Sequence, residues 1–387
     1  MAKLKLTLAC GNYDRTRALS EGIIQPEGID LNYIPLGPGE IFWRMLNNGE
    51  FDASEMSLST YTILRSQGDT RFIALPVFPS RVFRHGCIYV HADAGIQSAQ
   101  DLKGKRMGVG DYQMTAAVWV RGLLQHEYQV LPEEVQWVVA APVCAGIELP
   151  ARVRIAHIDS GQNLERMLEA GEIDALASVV MPKALFAEKA VVKRLFPNYR
   201  EIEMDYYRRT RIFPIMHTLV LKTELFQREP WVAISLYKAF VQAKDLNFKY
   251  LYDTNALVIS LPWIVDEIES SRRIFGPEIW DYSIEGSRPT LEAFVQYVEE
   301  QQLTRSRMKV EELFAANISL GGGDGSFKPF VSGDSTTAPV AAKTKAQEIG
   351  KSLESAIVPP AKTCRSRAPV SALVFESVSV QVPLPSL

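Results

Sequence analysis

Residues 44–53 read RMLNNGEFDA, and residues 166–175 read RMLEAGEIDA. Seven of the ten positions are identical, and the two copies are 122 residues apart. Each copy has the pattern of an amphipathic helix that ends at a glycine and leads into a short apolar strand. A helix–glycine–strand unit is half a turn of an α/β sheet, so its repetition predicts two similarly built lobes. The cleft between two such lobes is where small molecules bind.

The chain up to about residue 315 alternates strand-like and helix-like segments, which is typical of an α/β protein. The offset of the repeat predicts that the chain crosses between the lobes twice, near residues 84–89 and near residues 209–214. The predicted domains are lobe I at 1–86 and 215–320, lobe II at 87–214, and a tail at 321–387. The tail is rich in Ser, Thr, Ala, Val and Pro without periodicity, so we predict that it is mostly disordered and assign it no function.

The composition is that of an ordinary globular protein, with 47% hydrophobic and 22% charged residues. A net charge of -3 gives no reason to expect binding to nucleic acid or to an anionic membrane. The four cysteines form no CxxC pair, which favours free thiols in a reducing compartment. The first ten residues alternate polar and apolar like a strand and unlike an export signal, and no apolar run is long enough to span a membrane. We therefore expect a cytoplasmic protein; whether it forms a homo-oligomer is left open.

In two-lobe α/β proteins, ligands lie at the carboxyl ends of strands, against loops and helix N-termini. That rule selects residues 11–15, 57–61, 80–85, 110–115 and 211–217. These segments bring together arginines, hydroxyl groups and aromatic rings, a set that suits an aromatic acid better than a sugar or a nucleotide. The predicted substrate-binding residues are Asn12, Tyr13, Arg15, Ser57, Thr60, Arg81, Arg84, Tyr112, Thr115 and Arg211. We expect two of the four arginines to bind the ligand, the alternative for each being a bridge between lobes or exposure to water.

Five histidines occur, and none belongs to an HxH or HExxH pattern or to a cluster with zinc spacing. We predict no dedicated metal site, although a divalent ion bound by carboxylates stays open. His85 and His217 lie at the two crossovers, where either could transfer a proton; a structural hinge histidine is the alternative. The glycines form neither a phosphate loop nor a dinucleotide fingerprint, and no GxSxG serine-hydrolase motif occurs.

Five segments carry a resemblance to a known family. They are GNYDRT at 11–16, GEFDASEMS at 49–57, FPSRVFRH at 78–85, DLKGKRMGV at 101–109 and FPIMHT at 213–218. Together they resemble 4,5-dihydroxyphthalate decarboxylase over roughly residues 1–315. The DLKGK segment alone is unspecific, since it occurs across type 2 periplasmic-binding-like proteins.

The resemblance implies a type 2 periplasmic-binding-protein-like fold that serves as an intracellular enzyme without a cofactor. The implied substrate is a small aromatic dicarboxylate, 4,5-dihydroxyphthalate, which becomes 3,4-dihydroxybenzoate (protocatechuate) and CO2 in phthalate degradation. Each carboxylate of this substrate has a hydroxyl para to it, so general acid–base groups suffice for its release. Our hypothesis is that Arg15, Arg81 or Arg84 hold the carboxylates while His217 and His85 transfer protons, with Asp14 and Glu55 as further candidates for the acid.

Three alternatives stay open at this point. The first is a solute-binding receptor of an ABC transporter, which would share the fold but normally carries an export signal. The second is another cytosolic enzyme on the same fold, such as a menaquinone-pathway enzyme or the thiamin pyrimidine synthase; the latter would carry a Cys-rich motif. The third, a ligand-sensing regulator, would need a DNA-binding helix-turn-helix, for which the N-terminal strand leaves no room.

Overall fold

A computed structural model describes residues 2–141, 149–188, 191–304 and 306–316. The predicted tail at 321–387 lies outside the described residues. The strands are β1 (Leu4–Cys10), β2 (Ile29–Pro35), β3 (Ala53–Ser57), β4 (Phe72–Arg81), β5 (Ile88–His91), β6 (Arg106–Val109), β7 (Gln136–Val139), β8 (Arg154–His157), β9 (Ala175–Ala177), β10 (Val192–Arg194) and β11 (Ile215–Lys222). The helices are α1 (Arg17–Ser20), α2 (Pro38–Asn48), α3 (Leu58–Ser66), α4 (Thr115–Tyr128), α5 (Leu164–Glu169), α6 (Tyr199–Thr210), α7 (Thr223–Arg228), α8 (Trp231–Leu251), α9 (Ile264–Phe275) and α10 (Ile284–Glu300).

The strands form two mixed sheets. The first has the order β2-β1-β3-β11-β4, and the second has the order β10-β5-β9-β6-β7-β8. The chain passes from the first sheet to the second between β4 and β5, and it returns between β10 and β11. The predicted α/β fold with two lobes and two crossovers is therefore confirmed, whereas the residue limits given above for the lobes stay a prediction.

The two copies of the repeat occupy equivalent places in the two sheets. The first copy spans the end of α2, Gly49 and the start of β3; the second spans α5, Gly171 and the start of β9. Both glycines have a positive φ, 55° and 69°, a conformation that glycine adopts without the strain of a Cβ atom. Strand β3 lies between parallel β1 and antiparallel β11, and β9 lies between parallel β6 and antiparallel β5. The structural duplication inferred from the sequence is thus confirmed.

The aspartate of each repeat has the same structural task. The side chain of Asp52 accepts a hydrogen bond of 2.8 Å from the backbone N–H of Thr7 on β1. The side chain of Asp174 accepts one of the same length from the backbone N–H of Arg106 on β6. Each carboxylate therefore joins the start of a repeat strand to its parallel neighbour, which explains why the repeat retains an aspartate at this position.

The lobes are in direct contact through α4. Trp119 on this helix donates a hydrogen bond of 2.9 Å from its indole N–H to the carbonyl oxygen of Ile215, the first residue of β11. The same indole packs against Phe294 and Tyr297 of α10. Among the residues that the structure describes, no helix combines the length and the apolar character needed to cross a membrane.

Candidate active site

The candidate site lies where β1 and β3 end and antiparallel β11 begins, on one edge of the first sheet. His217 of β11 is paired with Ser57, the last residue of β3. Glu55 is paired with Leu219, two residues further along β11. Because side chains two residues apart share one face of a strand, Glu55 and His217 project from the same face of the sheet.

The carboxylate of Glu55 is the centre of this site and is completely buried. One oxygen, Oε1, lies 2.5 Å from Nδ1 of His217 and accepts a hydrogen bond of 2.6 Å from the hydroxyl of Tyr13. The other oxygen, Oε2, accepts a hydrogen bond of 2.8 Å from the backbone N–H of Gly11 and a weak one from the Cys10 thiol. A buried carboxylate with this many donors is satisfied without water.

The surroundings of Glu55 keep it ionised. Burial alone would raise the pKa of this carboxyl, but the charge and hydrogen bond of His217, with the donors Tyr13 and Gly11, hold the pKa below its usual value. Burial and the neighbouring Glu55 raise the pKa of the Tyr13 hydroxyl, so Tyr13 stays a neutral donor. An ionised Glu55 accepts Nδ1–H of His217, which leaves Nε2 as the free ring nitrogen of a half-buried imidazole.

Gly11 is required for the position of Tyr13. A Cβ atom at residue 11 would lie 2.6 Å from Cε2 of the Tyr13 ring, far inside van der Waals contact. The absent side chain therefore lets the tyrosine ring pack onto the backbone that follows β1. In this position the Tyr13 hydroxyl reaches Glu55.

Arg15 is a cation adjacent to this carboxylate–imidazole pair. Its guanidinium carbon lies 4.3 Å from the ring centre of Tyr13 and 4.2 Å from that of Trp280. Nε donates a hydrogen bond of 2.7 Å to the carbonyl oxygen of Pro79, and Nη1 lies 3.0 Å from Asp14. The other oxygen of Asp14 accepts a hydrogen bond of 3.1 Å from Asn247 on α8. The aromatic rings and these acceptors hold the guanidinium in one orientation.

A cluster of hydroxyl groups joins the two lobes beside His217. Oγ of Ser57 lies 3.0 Å from Oγ1 of Thr115 at the start of α4, and Thr115 also accepts the backbone N–H of Ser59 at 3.0 Å. Thr60 contacts Ser57 through both its N–H and its hydroxyl, at 3.4 Å and 3.3 Å. The predicted residues Ser57, Thr60 and Thr115 are thus brought together. Ser59, which sequence reasoning did not single out, belongs to the same cluster.

Arg81 and Arg84 lie in the interior at the first crossover. Nη2 of Arg81 donates hydrogen bonds of 2.6 Å to the carbonyl oxygen of Asp281 and of 2.5 Å to the hydroxyl of Ser287. Burial lowers the pKa of Arg81 to about 10. Arg84 is also buried, with Met216 and Cys87 as its polar contacts. No described contact joins either guanidinium to the Glu55–His217 pair. The contacts that Arg81 and Arg84 do make are those of residues that stabilise a crossover.

His85 is likewise separate from the pair. Its ring is buried among Tyr128, Phe196 and Tyr206, with ring centres 5.4 to 6.1 Å away. Burial, with a smaller contribution from the charge of Arg209, lowers the pKa of His85 to about 4. The described surroundings therefore keep His85 neutral and enclosed, as in the structural alternative.

The remaining predicted residues lie in different environments. Tyr112 is completely buried, with the guanidinium of Arg121 3.8 Å from its ring centre and Trp137 at its edge. Arg211 is exposed at the end of α6, where its φ is 59°. Asn12 is exposed next to Tyr13. Of these three, Asn12 alone is adjacent in sequence to residues that contact Glu55, namely Gly11 and Tyr13.

Two aromatic residues at the site were not predicted. Phe42 on α2 packs in a T-shaped arrangement with the His217 ring, with a centre separation of 5.0 Å. Trp280 stacks on Arg15 and donates its indole N–H to the carbonyl oxygen of Phe78 at 2.9 Å. Neither has a local signal, because the contacts join segments far apart in sequence. Glu55 did have a local signal, because it is the single carboxylate within a short buried strand.

A metal ion has no ready set of ligands in the part of the chain that the structure describes. No group of three or more His, Cys, Asp or Glu residues there could hold one.

Comparisons with known proteins identify the family. A family model for the periplasmic substrate-binding protein of a phosphonate ABC transporter matches residues 17–141. The periplasmic sulfonate-binding protein SsuA from Methylobacillus flagellatus KT has a similar fold, with a TM-score of 0.50 and 15% identity over 82% of this chain and 94% of that chain.

Two curated proteins are much more similar in sequence. The 4,5-dihydroxyphthalate decarboxylase of Comamonas testosteroni is 38% identical over 320 residues, which cover 81% of this chain and 97% of the relative. The 4,5-dihydroxyphthalate decarboxylase of Pseudomonas putida is 39% identical over 214 residues, which cover 54% of this chain and 83% of the relative. On this similarity, the chain belongs to the 4,5-dihydroxyphthalate decarboxylase family.

Proposed function

We propose that this protein decarboxylates 4,5-dihydroxyphthalate to 3,4-dihydroxybenzoate and CO2 without an oxidant. Two curated relatives that bear this activity in their names support the proposal. The observation in the structure that carries it is the contact of 2.5 Å between Glu55 and Nδ1 of His217. A buried carboxylate that orients a half-buried imidazole is an arrangement that acid–base enzymes use.

The acid in this reaction is His217. With Nδ1–H directed to Glu55, a protonated His217 carries its second proton on Nε2, and the ionised carboxylate stabilises the imidazolium. The hydroxyl para to the leaving carboxylate gives its proton to water, and the resulting phenolate oxygen supplies an electron pair to the ring. The ring carbon that carries the carboxylate then takes the proton from Nε2. The bond from this carbon to the carboxylate breaks, its electron pair restores the aromatic ring, and CO2 leaves; water returns a proton to His217.

The carboxylate that stays on the ring needs a cation to bind it, and we assign this role to Arg15. It adjoins Tyr13, which contacts Glu55, and its side chain is 15% exposed, so a ligand can reach it. Arg81 and Arg84 would need to leave their buried contacts to bind substrate. Ser57, Thr60 and Thr115 provide hydroxyl groups on the same edge of the sheet. Asp14, held by Arg15 and Asn247, is the second candidate for the acid.

The alternative is a solute-binding protein, which the family model at residues 17–141 and the SsuA-like fold favour. Such a receptor would bind an organic acid and return it unchanged. In a receptor, the Glu55–His217 pair would take no part in a chemical reaction.

The test is to incubate the purified protein with 4,5-dihydroxyphthalate and to measure CO2 and 3,4-dihydroxybenzoate. Phthalate, which lacks both hydroxyls, is the matched control and should release no CO2. Stoichiometric formation of both products over many turnovers supports the enzyme. Tight binding without CO2 release would support the receptor instead.

A further inference from the structure

The second sheet also has a pocket at the carboxyl ends of its parallel strands. Four residues that directly follow strands β6, β7, β8 and β9 line it: Gly110, Ala140, Ile158 and Ser178. Its volume is about 250 Å³. This edge of lobe II corresponds to the edge of lobe I that carries Glu55 and His217, because the two sheets have equivalent strand orders.

The pocket is linked to His217 through residues at the contact between the lobes. Met114 lines the pocket and directly precedes Thr115. Thr115 contacts Ser57 at 3.0 Å between their hydroxyl oxygens, and Ser57 is the strand partner of His217. A ligand that spans the lobe contact would therefore reach the proton donor at one end and the lobe II pocket at the other.

The pocket lining is mostly apolar, with three side chains that combine an occupied acceptor and a donor without a partner among the described residues. Oε1 of Gln162 accepts the backbone N–H of Asp159 at 2.7 Å. Oδ1 of Asn163 accepts the backbone N–H of Glu165 at 2.9 Å and that of Arg166 at 3.2 Å. Because a backbone N–H can only donate, these contacts identify the oxygen of each amide, and the NH2 group is left to donate elsewhere.

Ser178 also has an occupied acceptor and an available donor. Its Oγ accepts the backbone N–H of Val180 at 3.1 Å, so its hydroxyl proton is available to a ligand. Among the described residues that line the pocket there is no Lys or Arg, and Glu165 is the one charged residue. Such a pocket repels a carboxylate but accepts a flat ring whose edge carries oxygen acceptors together with a hydroxyl that can donate to Glu165.

We infer that the lobe II pocket binds the two adjacent ring oxygens of the substrate, with Gln162, Asn163 and Ser178 as the donors that determine specificity. This inference rests on the proposed function, and it goes further by assigning the two ends of the substrate to different lobes. The carboxylate end lies against Arg15 and His217, and the diol end lies against the three donors. The same donors stabilise the phenolate oxygen from which the electron pair moves into the ring.

The test uses variants that remove the donor and preserve the local structure. Asp is about as good as Asn at the position that precedes a helix, and Gly is nearly as good, so Asn163→Asp and Asn163→Gly both preserve the start of α5. Only the first adds a charge, so agreement between them separates loss of the donor from charge. Gln162→Glu keeps Oε1 for Asp159. Asn198→Asp is the matched control, since Asn198 is an exposed residue at the start of α6, outside the pocket.

The readout is equilibrium binding of 4,5-dihydroxyphthalate and of phthalate by calorimetry, in a His217→Gln background in which the substrate is not consumed, with turnover of the wild type followed in parallel. We expect the preference for the dihydroxy compound to fall about tenfold when N163D, N163G or Q162E is added to this background, the worth of a hydrogen bond to a charged or partly charged oxygen. The preference should not change in N198D.

Unchanged preference in all three pocket variants would overturn the assignment, and so would a His217→Gln protein with an unaltered pocket that does not prefer the dihydroxy compound. A wild type that shows the preference but releases no CO2 would refute the decarboxylation while leaving the diol pocket in place. The two failures are therefore distinguishable.

Discussion

Replacing Glu55 by glutamine should reduce catalysis strongly while changing little else in shape. Both oxygens of the carboxylate accept hydrogen bonds: Oε1 from Tyr13 and His217, and Oε2 from the backbone N–H of Gly11. An amide has one oxygen and one NH2 group. In either orientation of the amide in the E55Q variant, the NH2 group must therefore face a donor. Either Gly11 loses its acceptor, or Tyr13 and His217 do.

The cost can be estimated from these contacts. Loss of one hydrogen bond to a charged group should lower the free energy of unfolding by about 1.5–3 kcal/mol. Catalysis should lose more, because His217 loses both its orientation and the charge that stabilises the imidazolium. We expect kcat to fall by about 10²- to 10⁴-fold, which corresponds to roughly 2.7–5.4 kcal/mol of transition-state stabilisation. Substrate affinity should change far less, because Arg15 and the lobe II pocket are intact.

The assay is steady-state formation of 3,4-dihydroxybenzoate as a function of pH, together with thermal unfolding of the same samples. Ser54→Ala is the matched control, since Ser54 is the adjacent residue of β3 and its buried hydroxyl has no hydrogen-bond partner among the described residues. An E55Q enzyme with kcat within about threefold of the wild type and an unchanged pH profile would refute the positioning role of Glu55.

Four further predictions follow from the same contacts. His217→Gln should lower kcat by about 10²- to 10⁴-fold and remove one limb of the pH–rate profile; near-normal turnover would exclude His217 as the acid. Arg15→Ala should raise KM by an amount equivalent to about 1.5–3 kcal/mol, whereas Arg81→Ala should mainly lower the melting temperature, and the reverse pattern would assign the binding of the carboxylate to Arg81. Gly11→Ala should displace the Tyr13 ring and reduce kcat, as measured beside Gly39→Ala, where a Cβ atom meets nothing within 4 Å. Glu203 on α6 lies 3.8 Å from Nδ1 of His85, and burial raises the pKa of its carboxyl to about 7. In His85→Phe, the free energy of unfolding should therefore rise by up to about 3 kcal/mol as pH falls from 7 towards 4.5, because the folded state binds this proton more tightly than the unfolded state. In the wild type, burial lowers the pKa of His85 to about 4, which opposes this rise, and denaturation at several pH values checks both slopes.

The sequence by itself was sufficient to predict the architecture. The repeat at 44–53 and 166–175 contains a helix end, a glycine and a strand, all of which are local features set by short-range backbone preferences. Its aspartates bond to the neighbouring strand in both lobes, so the repeat carries its own pairing information. The sites at strand ends were also predictable in outline, because ligands bind at carboxyl edges whatever the side chains are.

Which of those side chains act together was decided only by the tertiary structure. Glu55 and His217 are 162 residues apart in the chain, and their contact depends on the antiparallel register of β3 with β11. The arginines show the same limit. Arg15 and Arg81 both lie close to predicted strand ends, yet one is partly exposed and the other is buried against Ser287 of α10. Burial and strand register depend on which distant segments pack together, and no local pattern of residues encodes that.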